Sequence, residues 1–216
     1  KSSSWPDSLA LAPKSWADFW DVKKFPGKRS YRKGVAGALE PALMADGVPP
    51  NKVYEVLSQP GGIERAIRKI KELKPHIAVW WSSGAQHAQL MKDGEVDMVT
   101  GWNGRFDVVA KDGGKVADTF NQALLDYDCF AIPKDAPNKA AAMKFLAEVS
   151  KPQYQADFTK YINYAPTNKK AYDLGAAGWD MSLNGEAWAS VQYQNANNSV
   201  RATDEFMRAA IANKMW

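Results

Sequence analysis

Cysteine is nearly absent: Cys129 is the only one among 216 residues. A single thiol excludes an internal disulfide and any cysteine-built metal site. Histidine is almost as scarce. His76 and His87 are the only two and do not stand at ligand spacing, so no metal-binding residues are expected. No apolar run reaches the roughly 18 residues that a membrane-spanning helix needs, so no integral membrane segment is expected. Walker, GxSxG, HExxH and GxGxxG signatures are all missing, which leaves no catalytic motif and no expected cofactor. An excess of one charge is also lacking. Lys and Arg number 28 against 24 Asp and Glu, and a net charge of +4 is too weak to indicate a nucleic-acid partner. The chain opens KSSSWPDSLALAPKSW, without the charged start and apolar run of a signal peptide. A mature or trimmed secreted protein would look the same.

Apolar residues make up 45% and charged residues 24%, the balance of a globular chain rather than a disordered one. Nine Trp, eight Tyr and eight Phe supply large core rings, a stacking surface, or both.

Along the chain, Ser15 reads as the N-cap of a short helix, SWADFWD. FPGK is a turn and KRSY a strand. A helix is expected over 35–45 despite Pro41. Another follows from Ile63, Ala66, Ile67, Ile70 and Leu73 at helical spacing. IAVWW is a strand, Ser82–Ser83–Gly84 turns into a helix ended by Gly94, and VDMVTGW is a strand leading to a helix from Asn103. DTF and LLDYDCFAIP both read as strands. Helices follow from Asn138 to Ser150, with Ala142, Phe145, Leu146 and Val149 on one face, then from Pro152, and last from Thr203 to Lys214. The stretch 175–199 reads as irregular surface chain. Strands alternating with helices indicate an α/β protein with parallel crossovers.

Several residues invite a chemical reading. Gly61–Gly62 is a turn before a helix, with anion binding the weaker alternative. Asp126 and Asp128 stand two apart on an expected strand and so share a face, with Cα atoms about 7 Å apart. Such a pair can run acid–base chemistry on a sugar, hold a cation, or simply end the strand in water. Arg105 follows Trp102–Asn103–Gly104 where a strand becomes a helix. In open α/β sheets ligands bind there, and a guanidinium grips a carboxylate with two hydrogen bonds. The alternative is a first-turn surface arginine. Lys23 to Lys33 holds six basic residues and no acidic one, which reads as a solvated edge.

In order, SWADFWD, FPGK, VDMVTGWNGRF, LLDYDCFAIPKDAPNKAAAMKFLAEVSKPQYQADF and INYAPTNKKAY resemble the periplasmic solute-binding proteins of ABC importers, in their spermidine/putrescine-binding branch. The resemblance runs from about Ser15 to Leu174. It implies the type II periplasmic-binding-protein fold, two α/β lobes joined by a hinge. Residues 1–127 and 173–216 would be second lobe, and 128–172 a returning segment of the first lobe, whose N-terminal part is absent. It implies a periplasmic location, an ABC transporter permease as partner, a small-molecule ligand and no enzymatic activity.

The resemblance also implies roles. Trp102 matches the Trp that packs on the ligand's methylene chain, and Asp128 the acid that grips an ammonium group. Two departures bear on the ligand. Acidic residues are expected after the first strand, where this chain has Tyr31, Arg32, Lys33 and Gly34, and a small residue is expected where Arg105 stands. A guanidinium in place of carboxylates repels a second ammonium, so the expected ligand is a zwitterion. Asp128 would hold its amine and Arg105 its carboxylate, with Trp102 over the chain between, as in 4-aminobutyrate (GABA). Asp126, Tyr31 and Arg32 are further candidates for the site. A polyamine ligand is the alternative, and a glycan-acting enzyme using Asp126 and Asp128 is the alternative of another class.

Overall fold

Five apolar side chains at helical spacing must share a buried face, and that need organises the first half of the chain. The computed structural model describes residues 12–124, 126 and 128–175. Its elements are α1 (Trp16–Trp20), β1 (Arg29–Arg32), α2 (Leu39–Ala45), α3 (Val53–Leu57), α4 (Gly62–Leu73), β2 (Ile77–Trp81), α5 (Gly84–Lys92), β3 (Met98–Val99), α6 (Asn103–Lys111), α7 (Lys139–Val149), α8 (Pro152–Phe158) and α9 (Lys170–Asp173). Ile63, Ala66, Ile67, Ile70 and Leu73 are all buried along α4. Each Ile or Leu among them contributes roughly 1.5–3 kcal/mol by leaving water.

The chain passes from one compact unit to a second after Asp126. In the first unit, β1 is the middle of a three-stranded sheet of order β2-β1-β3, parallel to both neighbours. Tyr31 pairs with Trp80 and Arg32 with Trp81. A parallel sheet is covered on both faces, and two cores result. One gathers Phe19, Phe25, Tyr31, Leu39, Leu43 and the apolar face of α4. The other gathers Trp81, Leu90 and Val96, with Val79, Val99 and Trp102 against them. Successive side chains of β2 divide between the two, Trp80 joining the first and Trp81 the second.

Glycines permit the tightest approaches. Gly61 precedes α4 with φ +83°, and a Cβ on Gly62 would stand 1.9 Å from the Val56 carbonyl oxygen. The pair therefore serves helix packing, and the turn reading holds.

The structure corrects several expectations. Helix α2 begins at Leu39 rather than at 35. Pro41 then falls in its first turn, where a missing N–H costs nothing. The strand expected over VDMVTGW is confined to Met98–Val99. Neither DTF nor the described residues of LLDYDCFAIP form a strand beyond an isolated bridge at Leu124. Apolar alternation gives a segment the capacity to pair, but pairing needs a partner edge. Nor is the basic run from Lys23 to Lys33 a uniformly solvated edge. Arg29 is fully buried, donating to the carbonyl oxygens of Phe19 (3.1 Å), Gly27 (2.7 Å) and Phe25.

The second unit starts with an exposed stretch holding Asp128, Cys129 and Phe130. Pro152 opens α8 at its first turn, as expected. Asn168 ties the chain before α9 back to the Ser150 carbonyl at 3.0 Å. On α7 the expected apolar face is only half covered. Ala142, Leu146 and Val149 are half-buried, while Phe145 is 56% exposed, edge-on to Phe130. The expected return to the second lobe after 173, the irregular stretch after Gly175 and the helix Thr203 to Lys214 lie outside the described residues. No helix among the described residues is long and apolar enough to cross a membrane.

Candidate functional site

The carboxyl ends of β1, β2 and β3 converge on one cluster of rings and charges in the first unit. Strand β1 ends at Arg32, β2 at Trp81, and β3 leads through Thr100 and Gly101 to Trp102, which precedes α6. Trp81 is buried, and its indole N–H donates to Thr100 Oγ1 at 3.1 Å. Trp102 is half-buried and meets Trp81 edge to face, ring centroids 5.5 Å apart at 74°.

Two glycines make room. A Cβ on Gly84, the first residue of α5, would stand 2.7 Å from Trp102 Cζ3 and 3.2 Å from Arg105 Nε. Only a residue without a side chain lets Trp102 and Arg105 lie together over this helix start. A Cβ on Gly101 would be 2.5 Å from Phe106 and 2.7 Å from His87 Nδ1.

Arg105, in the first turn of α6, is exposed, and among the described residues its guanidinium forms no ion pair. Arg32 is half-buried, with its guanidinium carbon 5.5 Å from the Trp81 ring centre and 5.2 Å from that of Trp102. Cation–π contacts of this kind are worth about 0.5–2 kcal/mol.

Tyr31 does not join the cluster. It is fully buried in the first core, its hydroxyl donating to the Ala38 carbonyl at 2.6 Å. Neighbouring strand residues point to opposite faces, so of the Tyr31–Arg32 pair only Arg32 reaches Trp102. Burial, helped by the Glu40 charge, pushes the Tyr31 phenol well above its usual range. Asp126 and Asp128 are exposed, the first closing one unit and the second near the start of the other. Neither belongs to a strand, so the shared strand face on which a paired-carboxylate reading relied does not form.

His87 was not among the expected site residues, yet it backs the whole cluster. It is fully buried, with ring centres 4.7 Å from Trp81, 5.5 Å from Trp102 and 5.1 Å from Phe106. Neither ring nitrogen has a hydrogen-bond partner among the described residues. Burial lowers its pKa from 6.5 to about 4, and the Arg105 and Arg32 charges push the same way. The imidazole is therefore neutral at pH 7. The unfolded chain binds this proton near 6.5, the folded chain only near 4. The His87 contribution to stability is thus complete above pH 6.5 and is lost as pH falls through 4, by about 3 kcal/mol at the limit. Urea unfolding between pH 7.5 and 4.5 should show that slope, and His87→Leu should flatten it.

The only sequence hint of this residue was its place one turn into the helix that Gly84 opens. Its neighbours come from three elements, which spacing along the chain does not reveal.

Residues 3–184 match the family of bacterial extracellular solute-binding proteins. A gamma-aminobutyric acid-binding protein from Pseudomonas aeruginosa is 47% identical over 161 residues, 74% of this chain and 46% of that one. A spermidine/putrescine-binding periplasmic protein from Escherichia coli is 28% identical over 171 residues, 76% of this chain and 47% of its own. This chain thus spans about half the length of the curated relatives it matches. Among solved structures, an ABC transporter substrate-binding protein from Bradyrhizobium japonicum superposes with a TM-score of 0.77 at 44% identity, covering 91% of this chain and 62% of that one. A GABA receptor structure gives 0.77 at 37% identity, covering 93% and 61%. A stretch of 46 residues, 21% of this chain, is 54% identical to a vitamin B12-dependent ribonucleotide reductase from Rhodopirellula baltica, but it covers 4% of that enzyme. So small a share brings no reductase activity with it.

Proposed function

Because this chain belongs to the bacterial extracellular solute-binding protein family, a family of carriers rather than enzymes, we propose that it is part of the solute-binding component of an ABC importer whose ligand is a small zwitterionic ω-amino acid such as GABA. The observation that carries this reading is the Arg105 guanidinium. It is exposed, without an ion pair among the described residues, and shares the surface over Gly84 with the Trp102 ring. A cation beside an aromatic face at the carboxyl end of a parallel sheet suits a carboxylate attached to a short apolar chain. Two proteins similar to this chain are named for GABA, which supports the same choice.

On this reading Trp102 covers the methylene chain and Arg105 takes the carboxylate, with Arg32 adding positive potential. Asp128 takes the amine, and Asp126 is a further candidate to orient Arg105 or contact the amine. Residues 1–127 are second-lobe chain and 128–172 first-lobe chain, joined through a hinge. The protein works in the periplasm and hands its solute to a permease. Micromolar binding needs about 8 kcal/mol, and a matched pair of end charges supplies part of it.

A polyamine ligand is the second reading, favoured by the likeness to a spermidine/putrescine-binding protein. Two guanidiniums around Trp102 oppose it. Calorimetric titration with GABA and with putrescine tests the choice. GABA is expected to bind more tightly, and tighter putrescine binding would replace the amino acid by a diamine.

A further inference from the structure

Arg32 stacks on two indole rings at the carboxyl ends of the strands. Its guanidinium carbon lies 5.2 Å from the Trp102 ring centre and 5.5 Å from that of Trp81, and those two rings are 5.5 Å apart. The three groups thus form a nearly equilateral triangle, with the charge in the angle between two tilted indoles. Such an angle attracts ammonium and guanidinium groups, and here the protein fills it with a charge of its own.

The surroundings hold Arg32 there without satisfying it. The alternation that buries Tyr31 in the first core directs Arg32 to the other face of the sheet, and the register sets it beside Trp81. Gly37, with φ +69°, borders this seat: a Cβ there would come into van der Waals contact with Arg32 Nη1 at 3.4 Å. Among the described residues the guanidinium makes no ion pair and donates no hydrogen bond. Its contacts with the two rings are what the structure gives it, and no acid among the described residues pairs with it.

We propose that Arg32 is a specificity determinant that excludes dications by occupying the aromatic angle of Trp81 and Trp102. This inference rests on the reading that the ligand packs on Trp102. A diamine approaching that ring meets a like charge already stacked on it. The carboxylate of a zwitterion meets two guanidiniums, Arg32 and Arg105, whose charges both reach the buried His87. One side chain thus repels the wrong solute and adds to the field that draws the right one.

The test is calorimetric titration, with putrescine and with GABA, of the whole solute-binding component that holds this chain, unaltered and as Arg32→Gln, Arg32→Lys, Arg68→Gln and Trp102→Ala. Arg32→Gln should bind putrescine at least about tenfold more tightly than the unaltered chain, the size of one desolvated cation–aromatic contact. Arg32→Lys keeps a cation at the position and should not gain. Arg68→Gln removes the same charge from the exposed side of α4 and should not gain either. The proposal is overturned if Arg32→Gln fails to gain, or if either of the other two gains as much. Trp102→Ala tests the underlying reading separately. If it keeps its GABA affinity, the ligand does not use Trp102. If it loses that affinity while Arg32→Gln gains nothing for putrescine, only the assignment of Arg32 fails.

Discussion

Arg105→Ala should lower GABA affinity by roughly 30-fold to several thousand-fold, the effect of leaving one end charge of a bound zwitterion without its partner. The size follows from where this guanidinium lies. It shares the space above Gly84 with the Trp102 ring, and no carboxylate among the described residues neutralises it. Its charge is therefore available to a ligand rather than committed to the fold. Arg105→Lys should recover only part of the loss, because an ammonium lacks the planar fork that meets a carboxylate with two parallel hydrogen bonds. Titration of both variants, with far-ultraviolet circular dichroism to verify folding, decides the matter. A loss smaller than about threefold in the alanine variant would make Arg105 an ordinary surface residue.

The second large effect concerns stability. Arg29→Met should cost about 3–5 kcal/mol, because it leaves two or three buried carbonyls without their donor at about 1–3 kcal/mol each. Arg29 is fully buried at the start of β1 and donates to main-chain oxygens of Phe19, Gly27 and Phe25, with that of Asp21 at 3.5 Å. One side chain thereby ties the end of α1 and the following turn to the central strand. Burial lowers its pKa, and the Asp97 and Asp21 charges oppose that shift, yet a guanidinium remains protonated under ordinary conditions. Methionine fills much of the volume but leaves those carbonyls short of donors. Equilibrium urea unfolding followed by tryptophan fluorescence would measure the loss. A cost below about 1 kcal/mol would mean that the carbonyls find other donors.

Much of the fold could be read from local pattern, because helices report themselves locally. The five periodic positions of α4 are all buried. Ser15 and Ser83 accept from the backbone N–H of Asp18 and Gln86, as capping serines do. Strands report themselves poorly, since their partners lie elsewhere in the chain. The mostly apolar run LLDYDCFAIP therefore suggested a strand that the described residues do not form.

The candidate cluster could be read where a motif places its residues together and not where packing does. Trp102 and Arg105 stand three residues apart in one short motif and lie together over Gly84. The division of Tyr31 from Arg32 depends on which strand face each occupies. Within one basic run, Arg29 is a buried tie and Arg32 a stacked cation, and the letters around them do not distinguish the two. His87, Gly84 and Gly101 owe their places to close approaches between elements far apart in the chain.

The lone thiol of Cys129 is open to solvent, one residue after Asp128. A maleimide fluorophore will accordingly couple at a single known point of this chain, next to the acid proposed to hold the amine. Quenching or brightening of that dye on adding solute would report binding beside Asp128 optically.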